Sequence, residues 1–373
     1  MLLPETNVSE IESASLDPLE RHLLNDFQRN LPLEPRPFQR MAEQLGTSEA
    51  RVLECLSLLN RDGRISRVGP VFRPHSVGTS TLAAMAVPGE RLDEVALLIN
   101  QYPEVNHNYE REHRINLWFV VTAPDEPHLQ EILKDMELRT GLPVISLPML
   151  EAYHIDLGFS LQWGVGNSAA EASHPSARQA PFHPGPGPGL GKAEGAIESE
   201  FDRRLVATIQ QGLPLVAQPF AEIAEQVGLD ERQVIRRLRE WLANRVISRL
   251  GVIVRHRRLG YRANAMVVWD VPDDRVSQLG RCMGQYDFVT LCYQRPRRLP
   301  EWRYNLFCMI HGRDRDTVIE KVEWLVQQCD LQDIPHRLLF SRRSFKQRGA
   351  HYQRSDAADH GTVASRQREL ASC

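Results

Sequence analysis

The stretch Val105-Asn106-His107-Asn108-Tyr109-Glu110-Arg111-Glu112 reads as a β-strand, and its echo at Val289-Thr290-Leu291-Cys292-Tyr293-Gln294-Arg295 decides the fold. Side chains alternate across a strand, so Val105, His107, Tyr109 and Arg111 fall on one face. A row of imidazole, phenol and guanidinium is too polar for a core face. The second stretch keeps Val, Tyr and Arg at the same spacing and puts Leu291 where the first has His107.

The repetition extends outward from these strands. Phe220-Ala-Glu-Ile-Ala-Glu-Gln-Val-Gly228 follows Phe38-Gln-Arg-Met-Ala-Glu-Gln-Leu-Gly46 at an offset of 182 residues. Ile247-Ser-Arg-Leu-Gly251 follows Ile65-Ser-Arg-Val-Gly69 at the same offset, as Gly260 follows Gly78. Self-similarity on this scale marks a tandem duplication. In the first copy an apolar face of Leu19, Leu23, Leu24 and Phe27 gives one helix, followed by the proline-rich 31–37. Phe38–Leu45 gives a second helix, Gly46-Thr47-Ser48 a turn and N-cap, and Glu49–Asn60 a third. Gly63–Gly69 reads as a short hairpin wing, completing a winged helix-turn-helix. Beyond Gly78 the pattern predicts a strand at 81–87, a helix at 91–102 and strands at 105–112 and 115–122. A helix at 126–140 and a final strand region at 144–156 complete the order βαββαβ of a ferredoxin-like sandwich.

The expected chain is therefore α+β, with a winged helix-turn-helix at 15–78 and a ferredoxin-like domain at 79–162. A Gly/Pro/Ala-rich linker at 163–199 leads to a second winged helix-turn-helix at 200–260 and a second ferredoxin-like domain at 261–350. A disordered tail at 351–373 ends it, and a covalent pseudo-dimer is the simplest architecture.

Composition narrows the function class. Residues 15–163 hold 14 Lys and Arg against 21 Asp and Glu, whereas residues 200–348 hold 26 against 18. Halves of opposite sign attract each other or, for the basic half, a polyanion. No apolar run approaches the ~18 residues of a membrane span, and the acidic N-terminus is no signal peptide. The 6 cysteines show no metal-ligand spacing, which fits reduced thiols in a cytoplasm and gives zinc no support. No flavin or nicotinamide fingerprint and no phosphate loop is present.

A helix-turn-helix suggests DNA, so its recognition helices need a direct test. The first, Glu49-Ala-Arg-Val-Leu-Glu-Cys-Leu-Ser-Leu-Leu, carries one Arg and two Glu and is a poor reader of bases. The second offers Arg232, Arg236, Arg237 and Arg239. Operator binding wants two equivalent readers, and one is disabled here. DNA is therefore an unlikely partner.

The module resembles the Lrp/AsnC feast-famine regulators. The paired motifs His107-Asn-Tyr-Glu-Arg-Glu with Asn116-Leu-Trp-Phe, and Leu291-Cys-Tyr-Gln-Arg-Pro with Tyr304-Asn-Leu-Phe, resemble more narrowly the D-type and L-type subunits of sirohaem decarboxylases, joined in one chain. The resemblance covers about residues 15–350 without the linker. It implies conversion of sirohaem to didecarboxysirohaem by loss of two acetate carboxylates, on the route to a nitrite reductase haem. Downstream haem-biosynthesis enzymes are then partners.

The residues suit that chemistry. Loss of carbon dioxide leaves negative charge on an exocyclic carbon, and a nearby His is the usual proton donor. His107 is the first choice, with Tyr109 beside it to orient the imidazole or the carboxylate. His154 on the last strand is the second catalytic candidate. Whether either ligates iron instead is open at this stage. A substrate with eight carboxylates needs guanidiniums, and Arg111, Arg114, Arg295, Arg297, Arg298 and Arg303 are the candidates, with His113 and Tyr293 as further binding residues. His311 reads as a structural residue at a strand end. The expected reaction is redox-neutral and needs no added cofactor. The competing readings are a ligand-responsive transcription regulator and a tetrapyrrole carrier without turnover. Association of two or more chains is not determined at this level.

Overall fold

The computed structural model describes residues 16–73, 76–155, 197, 199–259, 261 and 263–349. The bulk of the expected linker and the expected tail lie outside them. In the first repeat α1 (Pro18–Asp26), α2 (Pro37–Leu45) and α3 (Glu49–Arg61) precede strand β1 (Ile65–Phe72). The second repeat has α6 (Glu200–Ile209), α7 (Pro219–Val227), α8 (Glu231–Ala243) and β7 (Ile247–Val254). Local signals explain the boundaries. Pro37 and Pro219 open their helices at the first turn, where no amide partner is lost. Gly46 (φ 62°) and Gly228 (φ 74°) close them in the left-handed region that favours glycine. The Ser48 hydroxyl accepts from the Arg51 amide at 3.3 Å, as the N-cap reading requires.

The wing departs from expectation. Ile65–Phe72 is one continuous strand and makes no hairpin with its own repeat. It pairs antiparallel with β7 of the other repeat, Gly69 opposite Gly251. Each wing strand thus finds its hydrogen-bond partner in the other copy, which covers one edge of each. The helices of both copies share one core, with Phe38, Leu56, Phe220 and Trp241 among its fully buried members. The two helix-turn-helix units form one body.

The strands of the first βαββαβ unit are β2 (Thr79–Met85), β3 (Val105–Arg111), β4 (Leu117–Ala123), β5 (Ile145–Pro148) and β6 (Glu151–Ile155), with helices α4 (Leu92–Asn100) and α5 (Glu126–Thr140). The second unit has β8 (Ala263–Trp269), β9 (Val289–Gln294), β10 (Leu306–Gly312) and β11 (His336–Gln347), with α9 (Val276–Gly284) and α10 (Arg315–Gln328). All nine strands join one sheet in the order β5-β2-β4-β3-β11-β8-β10-β9-β6. The orders β5-β2-β4-β3 and β11-β8-β10-β9 are the ferredoxin-like arrangement in each half. Only Met149 and Leu150 separate β5 from β6, so the sheet curls until its two ends meet.

Strand exchange makes that ring. His336–Phe340 pairs with β8 of its own repeat, and Ser341–Gln347 continues along β3 of the other. In the same way β5 stays on β2 while β6 crosses to β9. The single final strand expected at 144–156 is therefore two strands serving two repeats. Each helix pair covers the outer side of its own half, over separate apolar cores. On the inner side of the curled sheet lies a third cluster that includes Leu82, Trp118, Leu147, Met266, Phe307 and Leu339.

The charge asymmetry acts across the junction. Arg343 of the basic half pairs with Glu110 (2.5 Å) and Asp93 (2.7 Å), and Arg315 with Glu112 (2.8 Å). Glu110 is largely buried, so its pair counts for more than the exposed ones. The expectation of six reduced thiols is corrected at one place. The ends of α9 and α10 lie side by side, which sets Cys282 and Cys329 with Cα atoms 5.9 Å apart in a disulfide. Cys55, Cys292 and Cys308 are buried thiols.

Candidate active site

Strict alternation would have put Val105 and His107 on one face. The pairing of β3 with β4 shifts register between Val105 and His107, where a β-bulge places two residues against one. Val105 consequently packs in the helix-side core, whereas His107 and Tyr109 turn inward. The same shift recurs in the second half between Met309 and Ile310, sending Val289 to the helix side and leaving Leu291 and Tyr293 inward. The bulge decides that the imidazole meets the interior.

That interior is a cavity of about 330 Å³, at the lower end of ligand-pocket sizes. It lies between the curled sheet and the paired wing strands. Leu82, Trp118, Phe119, Val120, Met266, Leu291 and Met309 give it apolar walls. Its charged lining consists of Arg67, Arg111, Arg249 and Arg348 with His107 and His311, and no Asp or Glu among the described residues faces it. Gln210, Asn264, Gln347 and Ser66 supply further polar groups.

His107 lines the cavity on β3, and its register partner on β11 is Gln347 of the second repeat. The site in one half is thus completed by a strand of the other. The rings of His107 and Tyr109 are stacked, 6.2 Å between centroids. Burial, aided by the positive charge of Arg67, lowers the His107 pKa to about 4. Its residual exposure faces the cavity it lines, so bulk water does little to offset that burial. A pKa of about 4 leaves the imidazole uncharged at neutral pH. His311 on β10 is lowered to about 4 likewise, by burial and then by Lys321 and Arg111. The Arg111 guanidinium lies over the Tyr109 ring at 5.6 Å and donates to the Leu339 carbonyl at 3.0 Å.

Five of the expected residues therefore meet or border this chamber as read: His107, Tyr109, Arg111, Tyr293 and the Leu291 that replaces a histidine. The others are placed elsewhere. His154 is buried on the helix side of β6, its Cβ against Gly284. A register shift between Ala152 and His154 puts Tyr153 and His154 on the same side, so alternation fails there too. Arg295 is buried beneath Tyr293 and donates to the Leu147 carbonyl. Arg297 and Arg303 both bind Asp270, and Arg297 also binds Asp273. Arg114 donates to the Glu301 carbonyl and Arg298 to that of Ser146, each at 2.8 Å. His113 accepts from the Ile115 amide at 3.1 Å and packs edge-on to Trp302. These groups brace loops and strand crossings rather than the cavity.

Sequence reading missed His311, Arg67, Arg249 and Arg348. The signal for two of them was present, since the Ser-Arg pair of the wing recurs in both copies at 66–67 and 248–249. As for DNA reading, Arg237 is held by Asp202 at 2.7 Å through two bonds, and Arg239 donates to the Leu33 carbonyl at 2.5 Å. The better of the two recognition helices thus has two of its four arginines engaged with other parts of the chain.

Comparison with known proteins follows this geometry. A profile described as "AsnC-like ligand binding domain" matches residues 76–154 and 258–346. One described as "Siroheme decarboxylase NirDL-like HTH domain" matches 20–65 and 202–247. The chain is 44% identical over 337 residues to the siroheme decarboxylase NirDL subunit of Paracoccus denitrificans, covering 90% of this chain and 98% of that one. It is 53% identical over 146 residues to the siroheme decarboxylase NirD subunit of Stutzerimonas stutzeri, spanning 39% of this chain and 96% of that subunit. A crystal structure of the siroheme decarboxylase NirDL in co-complex with an iron-uroporphyrin III analogue superposes with a TM-score of 0.60 at 26% identity, over 90% of this chain and 93% of that one.

Proposed function

The chain belongs to the siroheme decarboxylase family, and from that premise we propose that its central cavity removes the carboxylates of two sirohaem acetates to give didecarboxysirohaem. The enzyme is a carboxy-lyase. The observation that carries the assignment to this cavity is its lining, with arginines and histidines, apolar walls and, among the described residues, no facing carboxylate. A flat apolar macrocycle with an anionic rim is complementary to such a surface.

In each half-reaction the bond between the carboxylate carbon and its methylene breaks, and carbon dioxide leaves. The electron pair stays on the methylene carbon, where the macrocycle delocalises it, until a proton from a cavity histidine, His107 for the first acetate, turns the group into a methyl. One proton is consumed per carbon dioxide, and no oxidant or reductant enters, so the reaction requires no added cofactor. A neutral His107 must first gain that proton. Carboxylates entering beside it favour the charged imidazole and oppose the burial that depresses it. Substrate binding thus arms the acid. Tyr109, stacked on His107, orients it. His311, which lines the same cavity, serves the second acetate in this reading, the role that Leu291 cannot fill. We take the iron as part of the substrate and the cytoplasm as the compartment. Trapping thiols on lysis tests the Cys282–Cys329 disulfide in that compartment, with four of the six cysteines blocked if it persists and all six if it is reduced.

Anaerobic incubation with sirohaem, followed by mass spectrometry, tests the reading. Loss of two carbon dioxide units is expected, with His107→Ala binding sirohaem but leaving it unchanged. Sirohaem bound and returned intact by the native protein would instead identify a carrier.

A further inference from the structure

The wing strands are the part of the fold whose role in a DNA-binding protein is to touch the duplex. Here β1 and β7 are paired with each other, and residues from both line the cavity. Arg67 and Arg249 occupy the same place in the two copies of the Ile-Ser-Arg motif. Each guanidinium is braced on the protein through a terminal nitrogen: Arg67 donates to the Pro70 carbonyl at 3.1 Å, and Arg249 to the Gln28 carbonyl at 3.2 Å. Arg348, just past β11, adds a third and is braced on the Pro103 carbonyl. A guanidinium has five N–H donors in a planar fork and can bond several groups at once. Three cations on elements outside the β3 catalytic row thus share a chamber that no Asp or Glu among the described residues faces. Cations gathered in this way repel one another unless an anion joins them.

Resting on the decarboxylase reading above, we propose that Arg67 and Arg249 of the two wings, with Arg348, grip carboxylates on the tetrapyrrole rim. The helix-turn-helix half thereby sets how many carboxylates the substrate must carry. The wing has kept its affinity for anions and changed the anion. Gly349 is part of the device: a Cβ there would stand 2.8 Å from Nη1 of Arg67, so only glycine leaves that guanidinium in place.

Absorbance titration with two probes tests this, iron uroporphyrin with eight carboxylates and iron coproporphyrin with four. Arg67→Ala and Arg249→Ala should each weaken the eight-carboxylate probe by roughly 10- to 100-fold, the worth of one charge-assisted contact. The four-carboxylate probe should change much less. Gly349→Ala, which keeps every arginine, should weaken the first probe in the same direction, while Arg236→Ala on the outer helix face should change neither. With sirohaem, KM should rise and kcat hold. In Arg67→Ala the limb of the pH profile set by His107 should also move to higher pH, because a repelling cation is gone, and a merely structural arginine would not do that. Native affinity for both probes in the two alanine variants overturns the proposal. So does an equal loss for both probes together with an unchanged pH profile. Failure of the native protein to bind either probe would be a different result, and would remove the decarboxylase reading itself.

Discussion

The two halves of the molecule share a scaffold and differ in chemistry. Arg111 donates to the Leu339 carbonyl of the crossing strand, and Arg295 to that of Leu147, its counterpart. The Asn116 side chain both receives the Val87 amide and donates to the Val87 carbonyl, and Asn305 does the same with Val271. Tyr109 and Tyr293 each sit under their arginine. Against that sameness, His107 faces Gln347 across the exchanged strand, whereas Leu291 faces Ile155. His311 stands on β10 where β4 has Thr122, beside Asn264 instead of Ser80. Groups that brace the backbone are the same in both copies, because each satisfies buried backbone polar groups that both copies share. The cavity-facing positions that carry a histidine in one half diverge, His107 against Leu291 and His311 against Thr122, because one reaction needs each of them once.

The largest effect should come from making the halves alike. His107→Leu copies the second half into the first and removes the acid, and turnover should fall by about 10²- to 10⁴-fold while tetrapyrrole binding persists. Mass spectrometry of the product gives the answer, and retained turnover would move the acid elsewhere. His311→Thr makes the complementary change. Monodecarboxylated product should then accumulate, and its absence would show that one histidine serves both acetates.

The arginine clamps separate structure from chemistry. Arg111→Lys and Arg295→Lys should each cost about 1–3 kcal/mol in denaturant unfolding, since each leaves a buried carbonyl short of a donor. Only Arg111→Lys should also raise KM, because only Arg111 lines the cavity.

A pH series sharpens the contrast further. Both His107 and His311 have pKa values of about 4 in the folded protein, below the usual 6.5. Between those values the unfolded chain binds more protons than the folded one. Stability contributed by the neutral imidazoles is therefore present above pH ~6.5 and is lost as pH falls towards ~4, to the extent of a few kcal/mol for the pair. His107→Leu combined with His311→Thr should flatten that acid-side slope in thermal unfolding. The same linkage predicts that iron uroporphyrin binding at pH 7 takes up protons, visible as a buffer-dependent calorimetric enthalpy that vanishes in the double variant. The smallest effect is expected at Arg236, exposed and loosely paired, where alanine should shift stability by less than about 0.5 kcal/mol.

Much of this was legible before any coordinates. The offset of 182 residues, the helix caps at Gly46 and Gly228 and the alternation of apolar residues are local, and local chemistry is what a sequence displays. The boundaries of α5 matched the reading at both ends, and those of most strands within two residues. The contrast of His107 with Leu291 also survives, since it compares like with like. The arginines fared worse. Arg295, Arg297 and Arg303 looked like substrate ligands because charge alone does not reveal a partner, and their partners, Leu147, Asp270 and Asp273, are distant in the chain.

By itself, then, the sequence determined the duplication, the α+β class, the helix-turn-helix followed by βαββαβ, and the strand on which the chemistry depends. Tertiary structure decided which way the side chains face and what meets them. Three β-bulges, at 105–107, 152–154 and opposite Val289–Leu291, overrode simple alternation and turned His107 inward and His154 outward. Exchange of the final strands brought Gln347 and Arg348 to His107, and pairing of the wings brought Arg67 and Arg249 to the same cavity. A bulge depends on the register of a partner strand, and an exchanged strand on a surface more than a hundred residues away. Neither leaves a local period in the chain for a reader to find.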